Sequence, residues 1–222
     1  MDGRTQSFSA QQPYAPLRTW SIALVITAAS VIVSHLWLDQ PIAFFINQNI
    51  ADRTLFVWLR RLPIMFHLLS LILLAWCGLW ALINRPFSRL QSVVLACSIS
   101  FIATNFVTNQ LKYAFGRTWP DTWIENNPSL IQNGVFGFNP FQGGPGFASF
   151  PSGHVAAICA VMTVLWWSYP SLRPIYIACV AAVAIGLIGA NYHFLSDVIG
   201  GSFVGITAGY LTRKMAHSKM AP

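Results

Sequence analysis

Long apolar runs separated by short polar breaks dominate the chain, and their lengths suit a hydrocarbon slab better than a soluble core. The first run, Trp20 to Leu38, is interrupted notably only by Ser34 and His35 and is long enough to cross a bilayer. It starts late, so a cleavable signal peptide is not expected. Asp39 to Arg61 sets Ile42, Phe44, Phe45 and Ile46 against Asn47, Gln48, Asn49, Asp52 and Arg53, a mixture that predicts a segment lying at the membrane interface. Leu62 to Asn84 predicts a second span, closed by Arg85-Pro86. A third runs from about Leu90 to Leu111, carries Asn105, Thr108, Asn109 and Gln110 in its last turns, and ends on Lys112. That polar end should face protein or water. Residues 113–150 are rich in Gly, Pro, Asn and aromatic side chains and predict a long loop. The fourth span is Val155 to Tyr169, stopped at Pro170, the fifth Ile175 to about His193, and the sixth about Val198 to Leu211, before Arg213-Lys214. Within it, Gly201, Gly205 and Gly209 form a small-residue stripe suited to close helix packing. The expected fold is all-α: a six-transmembrane-helix bundle over residues 19–213, with an N-terminal tail, 1–18, and a C-terminal tail, 214–222.

Composition supports this placement. With 55% hydrophobic and 9% charged residues over 222 positions, the chain is not an ordinary soluble domain. Its 13 Lys and Arg are scattered between apolar runs and form no basic stripe, so nucleic acid is not an expected partner. The basic residues read as a topology signal. A cytoplasmic N-terminus puts Arg4, Arg18, Arg85, Arg89, Arg173, Arg213, Lys214 and Lys219 inside, against Arg53, Arg60, Arg61, Lys112 and Arg117 outside. Both tails are then cytoplasmic, and the long loop lies outside the cytoplasm. Cys77, Cys97, Cys159 and Cys179 all fall in apolar runs without close pairing, and predict buried thiols with neither disulfide nor metal.

This topology carries three polar groups to one face. In Ser149-Phe150-Pro151-Ser152-Gly153-His154 a helix begins with unpaired N–H groups, Gly153 lets an anion approach the main chain, and His154 exchanges protons near neutral pH. His193 and Asp197 are four apart, so on a continuing helix the carboxylate fixes the imidazole tautomer and leaves the other ring nitrogen free to attack phosphorus. Lys112 and Arg117 flank Gly116, which breaks the helix and can turn Arg117 inward for bidentate contact with phosphate oxygens, Lys112 adding a point charge. Each has a plainer reading alone: a serine N-cap with an interface histidine, a capped polar helix end, and cations snorkelling to the membrane boundary. Asn105, Asn109 and Gln110 are read as bridges between helices. Trp119 and Trp123 are read as interfacial anchors, and His35 and His67 as satisfied within the bundle, with His217 in the tail.

Lys112 to Pro120, Phe150-Pro151-Ser152-Gly153-His154 and His193-Phe194-Leu195-Ser196-Asp197 resemble, in order and spacing, the three signature motifs of the type 2 phosphatidic acid phosphatase family, whose active site is similar to that of vanadium haloperoxidases. The resemblance covers roughly residues 90–205. It implies a membrane lipid phosphatase in which His193 is the nucleophile, Asp197 orients it and His154 protonates the leaving alkoxide. Lys112, Ser152 and the Gly153 amide would hold the phosphoryl oxygens, with no metal or other cofactor. Trp119 and Leu187 stand where the family pattern usually has arginine, which leaves Lys112 and Arg117 to meet a phosphate without a third cation, unless a residue such as Asn191 contributes. The expected activity is hydrolysis of a lipid phosphate monoester or diphosphate through phosphohistidine, at the outer face of a bacterial-type cytoplasmic membrane. The alternatives are a lipid phosphotransferase or a non-catalytic phospholipid-binding protein. The expected partners are the lipid phosphate and the surrounding lipids, the substrate entering sideways past residues 40–60 or 121–150.

Overall fold

The structure, a computed structural model, describes residues 16–83, 86–123 and 126–218, without the side chains of 62, 64–68, 217 and 218; His67 and His217 therefore lie outside it. Eight α-helices occur among the described residues. They are α1 (Leu17–Val33), α2 (Asp39–Asn49), α3 (Thr54–Leu82), α4 (Arg89–Phe115), α5 (Leu130–Asn133), α6 (Gly153–Ser168), α7 (Arg173–Gly189) and α8 (Leu195–Ser218), with a π-helical turn, Ser34–Leu38, joining α1 to α2. The stretches Leu17–Asn49, Arg89–Phe115 and Pro170–Gly189 are long and apolar enough to cross a membrane, and Leu69–Leu82 and Gly153–Ser168 are shorter apolar helices. Ile22, Leu24, Val25 and Ile26 of α1 point outward, as lipid contact requires.

Local chemistry explains most boundaries. A capping box starts α4: the Ser88 hydroxyl accepts from the Gln91 N–H while the Gln91 side chain accepts from the Ser88 N–H. The same helix stops at Gly116, whose φ of 56° is left-handed and whose N–H donates to the Lys112 carbonyl at 2.8 Å. A Cβ at Gly116 would collide with the Asn139 carbonyl oxygen. Ser152 is the N-cap of α6, as its sequence context predicts.

Two expected boundaries are corrected. The segment Asp39–Arg61 is not one interfacial stretch: 39–49 is α2, while 54–61 begins α3, the Asp52 carboxylate accepting from the Thr54 N–H at 2.9 Å where the new helix starts. The expected fifth span, helix α7, ends at Gly189, short of His193, because the N–H groups of Tyr192 and His193 both turn back to the Leu187 carbonyl. His193 and Asp197 therefore sit on a tight turn and the first turn of α8 rather than on one continuous helix. Helix α8 itself continues past 213 to Ser218. Of the cysteines, Cys77 and Cys159 are buried and Cys97 and Cys179 half-buried, all four as free thiols.

Helix α6 is the most enclosed element, with Val155 to Val161 and Val164 buried, and it packs chiefly on α8 and α4. The glycine stripe explains how. A Cβ at Gly201, Gly205 or Gly209 would run into the carbonyl oxygens of Ser152, Ala156 and Ala160 respectively, so the backbones touch at three successive turns. This contact fixes the register between the N-termini of α6 and α8, where Ser152 and Asp197 meet through a 3.0 Å bond from the Ser152 N–H to the Asp197 carbonyl. Gly205→Val is expected to destabilise the protein by about 1–3 kcal/mol through overpacking, visible as a lower thermal unfolding temperature in detergent. An unchanged unfolding temperature would contradict this packing.

Candidate active site

The site lies where the long loop meets the starts of α6 and α8. Isolated backbone bridges from Arg117 to Phe138 and Ala148, and from Trp119 to Ser129, fold the loop back over these helix ends. His193 is 2% exposed, and its Nδ1 faces Asp197 Oδ2 at 3.3 Å and Ser149 Oγ at 3.4 Å. The Ser149 hydroxyl itself donates to Asp197 Oδ2 at 2.6 Å, and the Phe194 N–H donates to the same oxygen at 3.0 Å. A carboxylate held this way accepts a hydrogen bond from Nδ1–H and keeps the proton on that nitrogen, so Nε2 presents a lone pair. Burial pushes the His193 imidazole below its ordinary pKa, against the pull of Asp197 in the other direction, and so favours the neutral form.

The second imidazole is close by. The His154 and His193 rings are 6.2 Å apart between centroids and inclined at 63°. Lys112 joins them from α4: a Cβ on Gly153 would lie 3.5 Å from its Nζ. Lys112, Gly153 and His154 line a cavity of about 230 Å³, together with Pro63, Phe101, Asn105 and Ala157. Pro63 of α3, Phe101 of α4 and Ala157 of α6 give this cavity apolar walls, to which Asn105, Lys112 and His154 add polar groups. Ser152 is fully buried as the cap of α6, its hydroxyl oriented to the Val155 N–H at 3.5 Å, so it shapes the helix start beside Gly153. Among the described residues no three His, Cys, Asp or Glu side chains converge as a metal site would need.

Arg117 is placed differently from the expected phosphate clamp. Its guanidinium is fully buried and committed to protein: Nη1 to Asp197 Oδ1 at 2.5 Å and Ser196 Oγ at 2.5 Å, and Nη2 to Asp39 Oδ2 at 2.6 Å and His35 Nδ1 at 3.0 Å. Gly116 does turn Arg117 away from lipid, but toward two carboxylates behind His193. Asp39 also accepts from the Ser196 N–H at 3.0 Å, which ties the start of α2 to the start of α8. A chain of contacts thus runs from Asp39 through Arg117 and Asp197 to His193.

Other polar residues are also reassigned. Trp119 is 5% exposed, not an interfacial anchor; its Nε1–H donates to the Pro145 carbonyl at 2.8 Å and its ring lies 5.1 Å from that of His193. Trp123 is half-buried and donates to the Asn191 carbonyl at 3.1 Å. Asn191 is 2% exposed with φ 55°, and its side-chain amide donates to the Ala43 carbonyl at 3.0 Å, so it braces the turn before His193 and does not face phosphate. Asn105 lines the cavity while bonding within its own helix, to Phe101, and Asn109 and Gln110 are exposed. Leu187 is fully buried among Trp119, Tyr192 and Val183. Asp39 and Arg60 had no assigned role in the sequence, and the structure sets Asp39 against Arg117. Of these, Arg60 stacks over the Tyr192 ring at 4.1 Å.

Two imidazoles, one facing a carboxylate, thus stand beside a lysine and a helix N-terminus in a helical membrane protein. The chain belongs to the PAP2 superfamily, whose signature matches residues 93–221. It is 30% identical over 220 residues to a lipid A 1-phosphatase of Rhizobium etli, covering 93% of this chain and 91% of that protein. It is 27% identical over 212 residues to a lipid A 1-phosphatase of Rhizobium johnstonii, covering 89% and 80%. The fold is also similar to the crystal structure of a transmembrane PAP2-type phosphatidylglycerolphosphate phosphatase from Bacillus subtilis, with a TM-score of 0.61, 19% identity and coverage of 94% of this chain and 98% of that one.

Proposed function

We propose that this protein is a six-span membrane phosphatase that removes a phosphate from a lipid, with lipid A-type glycosyl phosphates as the first substrates to test. The observation that carries the reading is the pairing of His193 with Asp197 at 3.3 Å while the His154 ring stands 6.2 Å away, beside Lys112. Nε2 of His193 attacks phosphorus, and the bond to the ester oxygen breaks as His154 delivers a proton to that oxygen. Water then attacks phosphorus with His154 taking its proton, the P–Nε2 bond breaks, and inorganic phosphate leaves a free His193. Lys112 and the N–H groups at the start of α6 carry the charge on the phosphoryl oxygens. The arrangement of basic residues supports a site at the outer face of the membrane. The cavity wall of Pro63, Phe101 and Asn105 adds a route of lipid entry between α3 and α4 to those past residues 40–60 and 121–150.

The test is incubation of the purified protein with lipid A 1-phosphate, phosphatidic acid, phosphatidylglycerophosphate and undecaprenyl diphosphate. Free inorganic phosphate is expected. A phosphorylated acceptor lipid without free phosphate would replace hydrolysis by transfer, and retained binding with neither product would make the protein a binder.

A further inference from the structure

The phosphatase reading leaves the site short of positive charge. Arg117 is shared by Asp39 and Asp197, so this buried trio is net negative and Lys112 only balances it. A bound phosphate monoester brings a further charge of roughly −1.5 to −2 near neutral pH. The two positions where the family pattern suggests more cations hold Trp119 and Leu187, both packed in an apolar cluster.

One more cation approaches the same place from α3. The guanidinium carbon of Arg60 lies 4.1 Å from the centre of the Tyr192 ring and 5.0 Å from that of Trp123. Tyr192 is edge-on to both imidazoles, 5.7 Å from His154 and 5.2 Å from His193. Pro63, one turn further along α3 and so on the same side as Arg60, lines the cavity with Lys112, Gly153 and His154. Arg60 is half-buried, its Nε has no hydrogen-bond partner, and among the described residues no carboxylate is in ion-pair range. The two rings and the Tyr192 hydroxyl offset part of the burial of this guanidinium, but its charge has no counter-ion, and a bound anion would supply one.

We infer that Arg60 is a phosphate-binding residue of this active site, supplying from α3 the cation that Trp119 and Leu187 do not, and gripping the non-reacting phosphoryl oxygens opposite Lys112. The inference rests on the phosphatase reading for the identity of the anion. The plainer role is a staple that holds Tyr192 and Trp123 by stacking, with no contact to substrate. The two roles separate on charge and shape.

The experiment compares wild type, Arg60→Lys and Arg60→Met in detergent by orthovanadate binding, kcat and KM for phosphate release, and thermal unfolding. Orthovanadate takes up the five-coordinate geometry of phosphoryl transfer. Loss of a charged hydrogen-bonding partner should weaken vanadate binding about 10- to 100-fold in Arg60→Met. Arg60→Lys should recover a large part of that loss, and both variants should unfold near the wild-type temperature. Vanadate binding unchanged in Arg60→Met would overturn the assignment. Equal losses in both variants with lowered unfolding temperatures would overturn it in favour of the staple. Wild type that releases no phosphate from any lipid would sink the phosphatase reading alone, because weakened vanadate binding in Arg60→Met would still place Arg60 at an anion site.

Discussion

His193→Ala is expected to lower phosphate release by roughly 10⁴-fold or more, to the background rate, with the fold intact. The alternative assignment, attack by a water molecule with His193 as base, predicts a smaller loss, about 10²- to 10⁴-fold. Rapid acid-free quenching with radiolabelled substrate separates them, since only nucleophilic attack leaves label on the protein. The pH profile gives a second check. Burial lowers the His193 pKa, so the neutral imidazole persists as pH falls through the ordinary histidine value of about 6.5. The acid limb of kcat/KM that belongs to His193 therefore lies below pH 6.5, and activity is lost only as the pH drops through that lower value. A limb above 6.5 would mean that Asp197, not burial, dominates the imidazole. Wild-type turnover in the His193 variant would remove the nucleophile from the account.

The parts of this site that were legible in the sequence are those determined within a few residues. Ser152 caps a helix because a hydroxyl precedes Gly153 and an apolar run, and Gly116 ends a helix because only glycine takes a φ of 56° without strain. The glycine stripe of α8 packs as its four-residue spacing predicts. The pairing of His193 with Asp197 was also visible, although its geometry was not. Tyr192, His193 and Phe194 look like the continuation of an apolar helix, and nothing local shows that two N–H groups close on one carbonyl or that Asn191 adopts a φ of 55°. What the sequence hid was pairing over distance. Asp39 lies 78 positions before Arg117 and reads as an ordinary interfacial acid, so Arg117 looked free to bind phosphate. Arg60 was hidden among Arg53 and Arg61 in a segment whose helix boundary was misplaced. Its aromatic partners lie on the loop and the turn before α8, far along the chain.

Asp39→Ala is expected to cost about 3–5 kcal/mol of stability, because it strands half of a buried guanidinium. Arg117 Nη2 would keep only the His35 nitrogen, and the Ser196 N–H would lose its acceptor. Asp39 lies before residue 93, where the family signature begins, yet its carboxylate is fully buried against groups inside that region. The first two helices are therefore part of the same packed unit as the site, and damage at Asp39 should reach His193 through Arg117 and Asp197. Asp39→Asn separates the two consequences. It keeps the shape and an oxygen for the Ser196 N–H while removing a charge, so Arg117 is left to neutralise Asp197 alone. Asp197 then pulls less strongly on the imidazole proton, and the acid limb of kcat/KM should move to still lower pH, a shift that loss of stability by itself does not produce. Thermal unfolding of both variants, with pH profiles on Asp39→Asn, provides the check. If Asp39→Ala unfolds at the wild-type temperature, the buried chain from α2 to His193 does not hold the site together.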